Sequence, residues 1–280
     1  MFMEKCNLIA IEGLDGVGKQ TIVKKLCGLL KNMYGEKAVA TVAFPRYECL
    51  SGKLIKRVLC GDIGDPSKLS PNFMSVFYEI DEYIYFEKYM NRENELDFGN
   101  LEYLVMDRSF YSNLMYQGAK INAFTYYPFA NFLVERYANA IVRPGLRPFI
   151  DNIKIIVLRM NKQDRLLQIN NRDELDCVES NLSYMDRVHI FSEKLLSKCY
   201  LNHDRFIETL KEVVNLYNRH YLCDITVDEI LKVYFENVYS LNVLHYDDSN
   251  KEEIMNQNLL NLTKIILPSN DYFHIRGDNQ

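Results

Sequence analysis

The sequence predicts an α/β fold with a mostly parallel central sheet, and three observations carry that prediction. Short apolar runs alternate with longer stretches whose apolar residues recur at helical spacing. A glycine-rich turn joins the first such run to a helix, and a later run, "IKIIVL", is rich in β-branched residues, as a buried strand should be.

Taken in order, residues 7–11 read as a buried strand. The turn after them opens a helix with Ile22, Leu26, Leu29, Leu30 and Met33 on its apolar side, and Gly35 supplies a natural stop. A second strand runs from Ala38 to Phe44 and ends at Pro45. Leu54, Ile55, Val58 and Leu59 then indicate a helix. Ser70-Pro71 begins another, whose Phe73, Val76, Phe77, Ile80 and Ile84 lie along one side. "YLVM" gives a third strand ending at Asp107, helices cover residues 109–119 and 126–142, and residues 153–158 form a fourth strand. From Lys162 to about Leu241 helical periodicity dominates, with a short strand expected over residues 221–225. A last helix is expected from Asn250 to Ile266, before a polar tail beyond Pro268.

A formal net charge of -5 argues against a general nucleic-acid or membrane-surface binder, so any basic site must be local. The seven cysteines lie far apart with no C-x-x-C pair, which fits reduced thiols better than a metal knot or a disulfide framework. Phe2-Met3 is followed at once by Glu4-Lys5 and a run too brief to span a bilayer. The expectation is a soluble cytoplasmic protein.

Gly13-x-x-x-x-Gly18-Lys19 sits between a predicted strand and a predicted helix, the context a phosphate-binding loop requires. Small residues at Gly13, Gly16 and Gly18 let successive backbone N–H groups turn inward around a phosphate, with Val17 among them. The helix dipole and the Lys19 ammonium add positive charge. Gln20 stands where Ser or Thr usually helps hold Mg²⁺, and Thr21 follows it. The cradle and the lysine are untouched, so the expectation is altered metal ligation with activity kept. Asp107-Arg108 falls where a strand meets a helix, at the carboxyl edge of the sheet. There a carboxylate can orient metal-bound water and a guanidinium can clamp a phosphate.

The segments "IEGLDGVGKQT", "FPRY", "FYEID", "DRSFYSNLMYQGAK" and "RDELDCVE", in this order, resemble those of the thymidylate kinases. The resemblance implies a P-loop NTPase-type three-layer fold with a helical lid at about residues 160–178, an inserted helix near 203–218, and a C-terminal extension over 246–280. "NRHYLCDITVDEIL" resembles the family's last strand and helix. It further implies ATP as donor, Mg²⁺, dTMP as acceptor and a homodimer. Asp15 is then the loop carboxylate near the acceptor and the metal. Phe44, Pro45, Arg46 and Tyr47 approach the acceptor phosphate, and Arg108 bridges donor and acceptor. Phe77, or Tyr78 in its place, stacks on the base, while Ser112, Asn113 and Tyr116 line base and sugar. Arg172, with Arg165 second, is the lid arginine. Asp107 and Glu179 are the further acidic residues near the metal.

One departure bears on the substrate. Four residues after the stacking aromatic the family carries an arginine, and this chain has Asp81 or Glu82, according to whether Phe77 or Tyr78 is the anchor. That reverses the hydrogen-bond demand on the base edge. Two other readings remain: a deoxynucleoside kinase, against which "FPRY" speaks, and a catalytically silent nucleotide binder.

Overall fold

The computed structural model describes residues 6–90, 101–121, 126–170, 178, 181–243 and 250–267. Five parallel strands make one sheet in the order β2-β3-β1-β4-β5: β1 Asn7–Glu12, β2 Val39–Ala43, β3 Tyr103–Asp107, β4 Ile153–Arg159 and β5 Val238–Asn242. Parallel neighbours need crossovers, which the helices supply: α1 Lys19–Tyr34, α2 Leu50–Leu59, α3 Pro71–Met90, α4 Phe110–Gly118, α5 Tyr126–Tyr137, α6 Lys162–Asn170, α7 Leu182–Leu196, α8 Asp204–Tyr221, α9 Val227–Leu231 and α10 Lys251–Ile266.

The three central strands, β1, β3 and β4, are buried on both faces, and their two-residue period divides the interior into two cores. Leu8, Ala10, Leu104, Met106, Ile155 and Val157 face a layer built largely from α4, α5 and α8. Ile9, Ile11, Val105, Ile156 and Leu158 face the layer of α1 and α10. The first layer is held by an aromatic cluster in which Phe129 of α5 packs on Phe191 at 5.6 Å, Tyr200 at 4.8 Å and Phe206 of α8 at 5.8 Å between ring centroids. α10, expected as part of an extension, belongs to the second: its Met255, Leu262 and Ile266 share a core with Leu26 and Leu30 of α1. Residues 246–249 and 268–280 lie outside the described residues.

The C-terminal half differs from the sequence expectation in one element. Residues 221–225 form no strand: α8 runs to Tyr221, Leu222 turns left-handed at φ 52, and Asn218 takes over the loop's hydrogen bonds. Its Nδ2 donates to the Ile225 carbonyl at 2.7 Å, and its Oδ1 accepts the Ile225 N–H at 3.1 Å. Thr226 and Glu229 then form a reciprocal capping box that starts α9. The fifth strand comes later, where "VYSLN" pairs with β4 from Ile155↔Val238 to Arg159↔Asn242. It was hidden because a helix and a π-helical turn, Lys232–Glu236, run directly into it.

α3 differs more deeply. Phe73, Val76, Ile80 and Ile84 are 47%, 46%, 46% and 38% exposed, so its apolar stripe faces away from the core. The inward face carries Met74, Ser75, Glu79, Asp81, Glu82, Tyr85 and Phe86.

Candidate active site

The loop between β1 and α1 has the shape its glycines predict. Gly13 and Gly16 sit at φ 138 and 89, outside the range comfortable for other residues. Space is equally restrictive: a Cβ on Gly13 would lie 2.7 Å from the Leu158 carbonyl oxygen, and one on Gly16 would lie 2.8 Å from that of Arg165. α6 therefore rests on the loop. Lys19, 8% exposed, donates from Nζ to the Gly13 and Leu14 carbonyls at 3.0 Å each and stands 3.6 Å from Asp15. Burial, and then the Arg108 charge, bring its ammonium down to about 8, against the pull of Asp15, Asp107 and Glu12.

β3 delivers Asp107 and Arg108 to the same edge. Arg108 adopts φ 67, unusual for a residue with a side chain, and its N–H donates to the Ile11 carbonyl at 3.0 Å, tying β3's end to β1. Its guanidinium donates to Asp15 Oδ1 and reaches Ser112 Oγ at 3.4 Å, over the Tyr116 ring. The Tyr116 hydroxyl donates to the other Asp15 oxygen at 2.9 Å. Asp15 thus gathers Lys19, Arg108 and Tyr116 at one point. Beneath them Glu12 is fully buried, accepting from Ser109 Oγ at 2.7 Å, from the Ser112 N–H at 3.2 Å and from Ser112 Oγ. Burial pushes its carboxyl up despite those donors. Burial likewise raises Asp107, against Lys19 and Arg108.

These groups open on a cavity of about 630 Å³. Its wall takes in Asp15, Gly16, Gly18, Lys19, Gln20 and Thr21 from the loop, Phe44, Pro45 and Tyr47 after β2, Arg108, Ser112, Asn113 and Tyr116, and also Asp107. Gly13, Val17 and Arg165 border a neighbouring recess of about 470 Å³. Arg172 and Glu179 lie outside the described residues. Asn113 also exchanges hydrogen bonds with Ser75, pinning α4 to α3.

Three expected residues stand apart from that wall. Phe77 is half-buried beside the second core and packs edge-on against Phe73, ring centroids 5.2 Å apart, because the rotation of α3 turns Tyr78 rather than Phe77 to the cavity. Asp81 does not meet the cavity: 1% exposed, it takes the Arg46 backbone N–H at 2.8 Å and Nε at 3.1 Å, and the Ser51 hydroxyl at 2.5 Å. Arg46 closes the clamp by donating to the Asp81 carbonyl at 2.7 Å. The acid in "FYEID" is thus a holder for Arg46. Tyr78 and Glu82 occupy the wall instead, one residue along from the first choice in each pair.

Sequence reasoning passed over Glu12, Gln117 and Lys120. Glu12 ends an apolar strand, and a carboxylate there needs buried donors, a signal readable beside "DRSFYS". Lys120, which donates to the Pro66 carbonyl at 2.7 Å and is brought down to about 8 by burial, left no pattern to read.

The thymidylate kinase family model matches residues 11–195, the stretch that contains the loop, Arg108 and the whole cavity wall. The chain belongs to the thymidylate kinase family. A thymidylate kinase of Campylobacter hominis is 29% identical over 182 residues, 65% of this chain and 81% of that protein. Those of two Mycobacterium tuberculosis strains are 46% identical over 59 residues, 21% of this chain, which spans only 27% of their length. The crystal structure of thymidylate kinase from Ehrlichia chaffeensis superposes with a TM-score of 0.53 at 14% identity, covering 94% of this chain and 99% of that one, a likeness of fold. In this chain the phosphate loop lies at the carboxyl end of a parallel sheet flanked by helices. None of the described helices is long and apolar enough to cross a membrane.

Proposed function

We propose that the protein transfers the γ-phosphoryl group of ATP to a nucleoside monophosphate, with dTMP the first acceptor. An acceptor phosphate oxygen attacks the γ-phosphorus, the bond to the bridging oxygen breaks, and ADP and the nucleoside diphosphate leave. The single observation that carries this reading is that one cavity joins the phosphate loop to the acceptor-side residues, with Arg108 between them. Lys19 from below and Arg108 from the side neutralise charge on the transferring group, and positioning supplies the remaining catalysis. Arg172, or Arg165, adds a lid guanidinium over the donor, while Arg46, fixed by Asp81, meets the acceptor phosphate. Membership of the family and the Campylobacter relative's name support the same reaction.

Mg²⁺, arriving with ATP, would neutralise charge on the donor phosphates in this proposal. The donor set suits an ion that keeps several waters: Asp107 presents a carboxyl to the cavity, whereas both Asp15 oxygens are already engaged. Asp107, with Glu179, would hold it through water. No described group of three or more His, Cys, Asp or Glu residues is arranged to bind a metal alone, which fits a metal arriving with its nucleotide. The outward stripe of α3 favours a homodimer, because apolar residues at 38–47% exposure along one helix face ask for a partner. Free cysteines at positions 6, 27, 49, 60, 199 and 223 suit a reducing, cytoplasmic setting.

The test supplies ATP and Mg²⁺ with dTMP, dUMP, dCMP, purine monophosphates or free thymidine and follows ADP release. Turnover with dTMP is expected. Turnover with thymidine alone would make the protein a deoxynucleoside kinase, and none with any acceptor a silent binder.

A further inference from the structure

Glu82 is 5% exposed and forms part of the cavity wall, beside Met74 and Tyr78 of α3 and Asn113 and Gln117 of α4. Among the described residues its carboxyl has no hydrogen-bond or ion-pair partner. The cations nearby are committed to its neighbours: Arg46, after β2, to Asp81, and Arg136 of α5 to Glu79 at 2.7 Å. What faces Glu82 electrostatically is acidic, Glu79 and Asp81 from its own helix and Glu12 from β1, with the phenol of Tyr234 from the π-helical turn. An unpartnered carboxyl buried against a ligand-sized cavity is an incomplete hydrogen-bonding site, and the missing partner belongs in the cavity.

We infer that the Glu82 carboxyl reads the pairing edge of the acceptor base and admits pyrimidine monophosphates as a class, dCMP as well as dTMP. This rests on the kinase reading above. Burial first, then Glu79, Glu12 and Asp81, hold the carboxyl well above the usual carboxylate range, which favours the protonated form. A neutral carboxyl offers a donor and an acceptor side by side. Thymine and uracil present an N–H beside a carbonyl, and both bonds form. Cytosine presents an amino group beside a bare ring nitrogen, which the same carboxyl meets with hydroxyl and carbonyl exchanged. Once ionised, the group only accepts, so each base keeps one bond, from thymine's N–H or cytosine's amino group, and loses the other, and ionisation weakens both alike.

The experiment measures kcat/KM for dTMP and dCMP with ATP for the wild type, Glu82→Gln and Glu82→Leu. The wild type is expected to turn over both, with kcat/KM values within about tenfold of each other. Glu82→Gln, whose amide also carries a donor and an acceptor side by side, should keep both substrates. Glu82→Leu should raise KM for dTMP by about tenfold or more. A wild type that turns over dTMP but not dCMP, or a folded Glu82→Gln enzyme that loses both, would overturn the inference, as would a Glu82→Leu enzyme with the wild-type KM. Should Glu82→Leu fail to fold, the wild-type use of dCMP and the behaviour of Glu82→Gln decide. If the wild type phosphorylates no nucleoside monophosphate at all, the parent reading falls first, and that result is separate from anything the variants show.

Discussion

α1 and α3 both border the cavity and both carry apolar residues at helical spacing, yet they present opposite faces to the protein. α1 buries Ile22, Val23, Leu26 and Leu30 and, beyond the buried Lys19 at its start, leaves its lysines exposed or half-buried. α3 exposes Phe73, Val76, Ile80 and Ile84 and buries Glu79, Asp81 and Glu82. The difference teaches that periodicity reveals a greasy face without saying what covers it. On α3 the acids go inward because there is cationic and ligand-facing work for them: Asp81 fixes Arg46, Glu79 meets Arg136, and Glu82 borders the cavity.

The sharpest tests of this contrast lie where the two sides meet. Arg108→Ala should lower kcat by about 10³-fold or more, since one guanidinium at a transferring phosphoryl group can be worth that much. Arg159→Ala, whose guanidinium is paired with Glu193, should change kcat far less in the same assay. Equal losses would mean the phosphates sit elsewhere. Next in size, Asp81→Ala removes the inward anchor of α3 and leaves Arg46 uncompensated. It should cost about 3–5 kcal/mol in denaturant unfolding and raise KM for the acceptor more than for ATP. Leu30→Ala in α1 should cost about 2–5 kcal/mol.

The Lys19 ammonium gives a smaller, signed effect. Its pKa near 8 in the fold, against an ordinary 10.5, means that the grip on ATP weakens as pH rises through about 8. Between those values the unfolded chain holds the extra proton, so stability should rise with pH, and Lys19→Met should lower that slope while leaving the share of Lys120, also brought down to about 8. The smallest expected change in protomer stability is at Ile80→Lys on the outward stripe: within about 0.5 kcal/mol in a dilute monomer. Sedimentation should nevertheless show loss of the dimer. A Lys variant that unfolds the monomer would mean that this face is covered from within the chain.

Most of the sheet was legible because its strands are apolar runs cut by glycine or proline, and the loop because only glycine can occupy Gly13 and Gly16. β5 was missed because five residues of strand directly follow a π-helical turn, leaving no punctuation between them. On α3 the one-residue choice between Phe77 and Tyr78, and with it between Asp81 and Glu82, turns on helix rotation. A sequence does not display rotation until the buried partners, Arg46 and Arg136, are known. Glu12 shows the converse: a buried acid announces its need for donors, but which serines answer it is settled only by the fold.

The contact of α6 with the backbone at Gly16 has a mechanical consequence. With the Arg165 carbonyl 2.8 Å from where a methyl group would stand, and Ile169 at 2.9 Å, the root of α6 uses the phosphate loop as its floor. Raising that floor by a single carbon lifts the beam standing on it, so α6 takes its bearing from the seat of the nucleotide rather than from solvent.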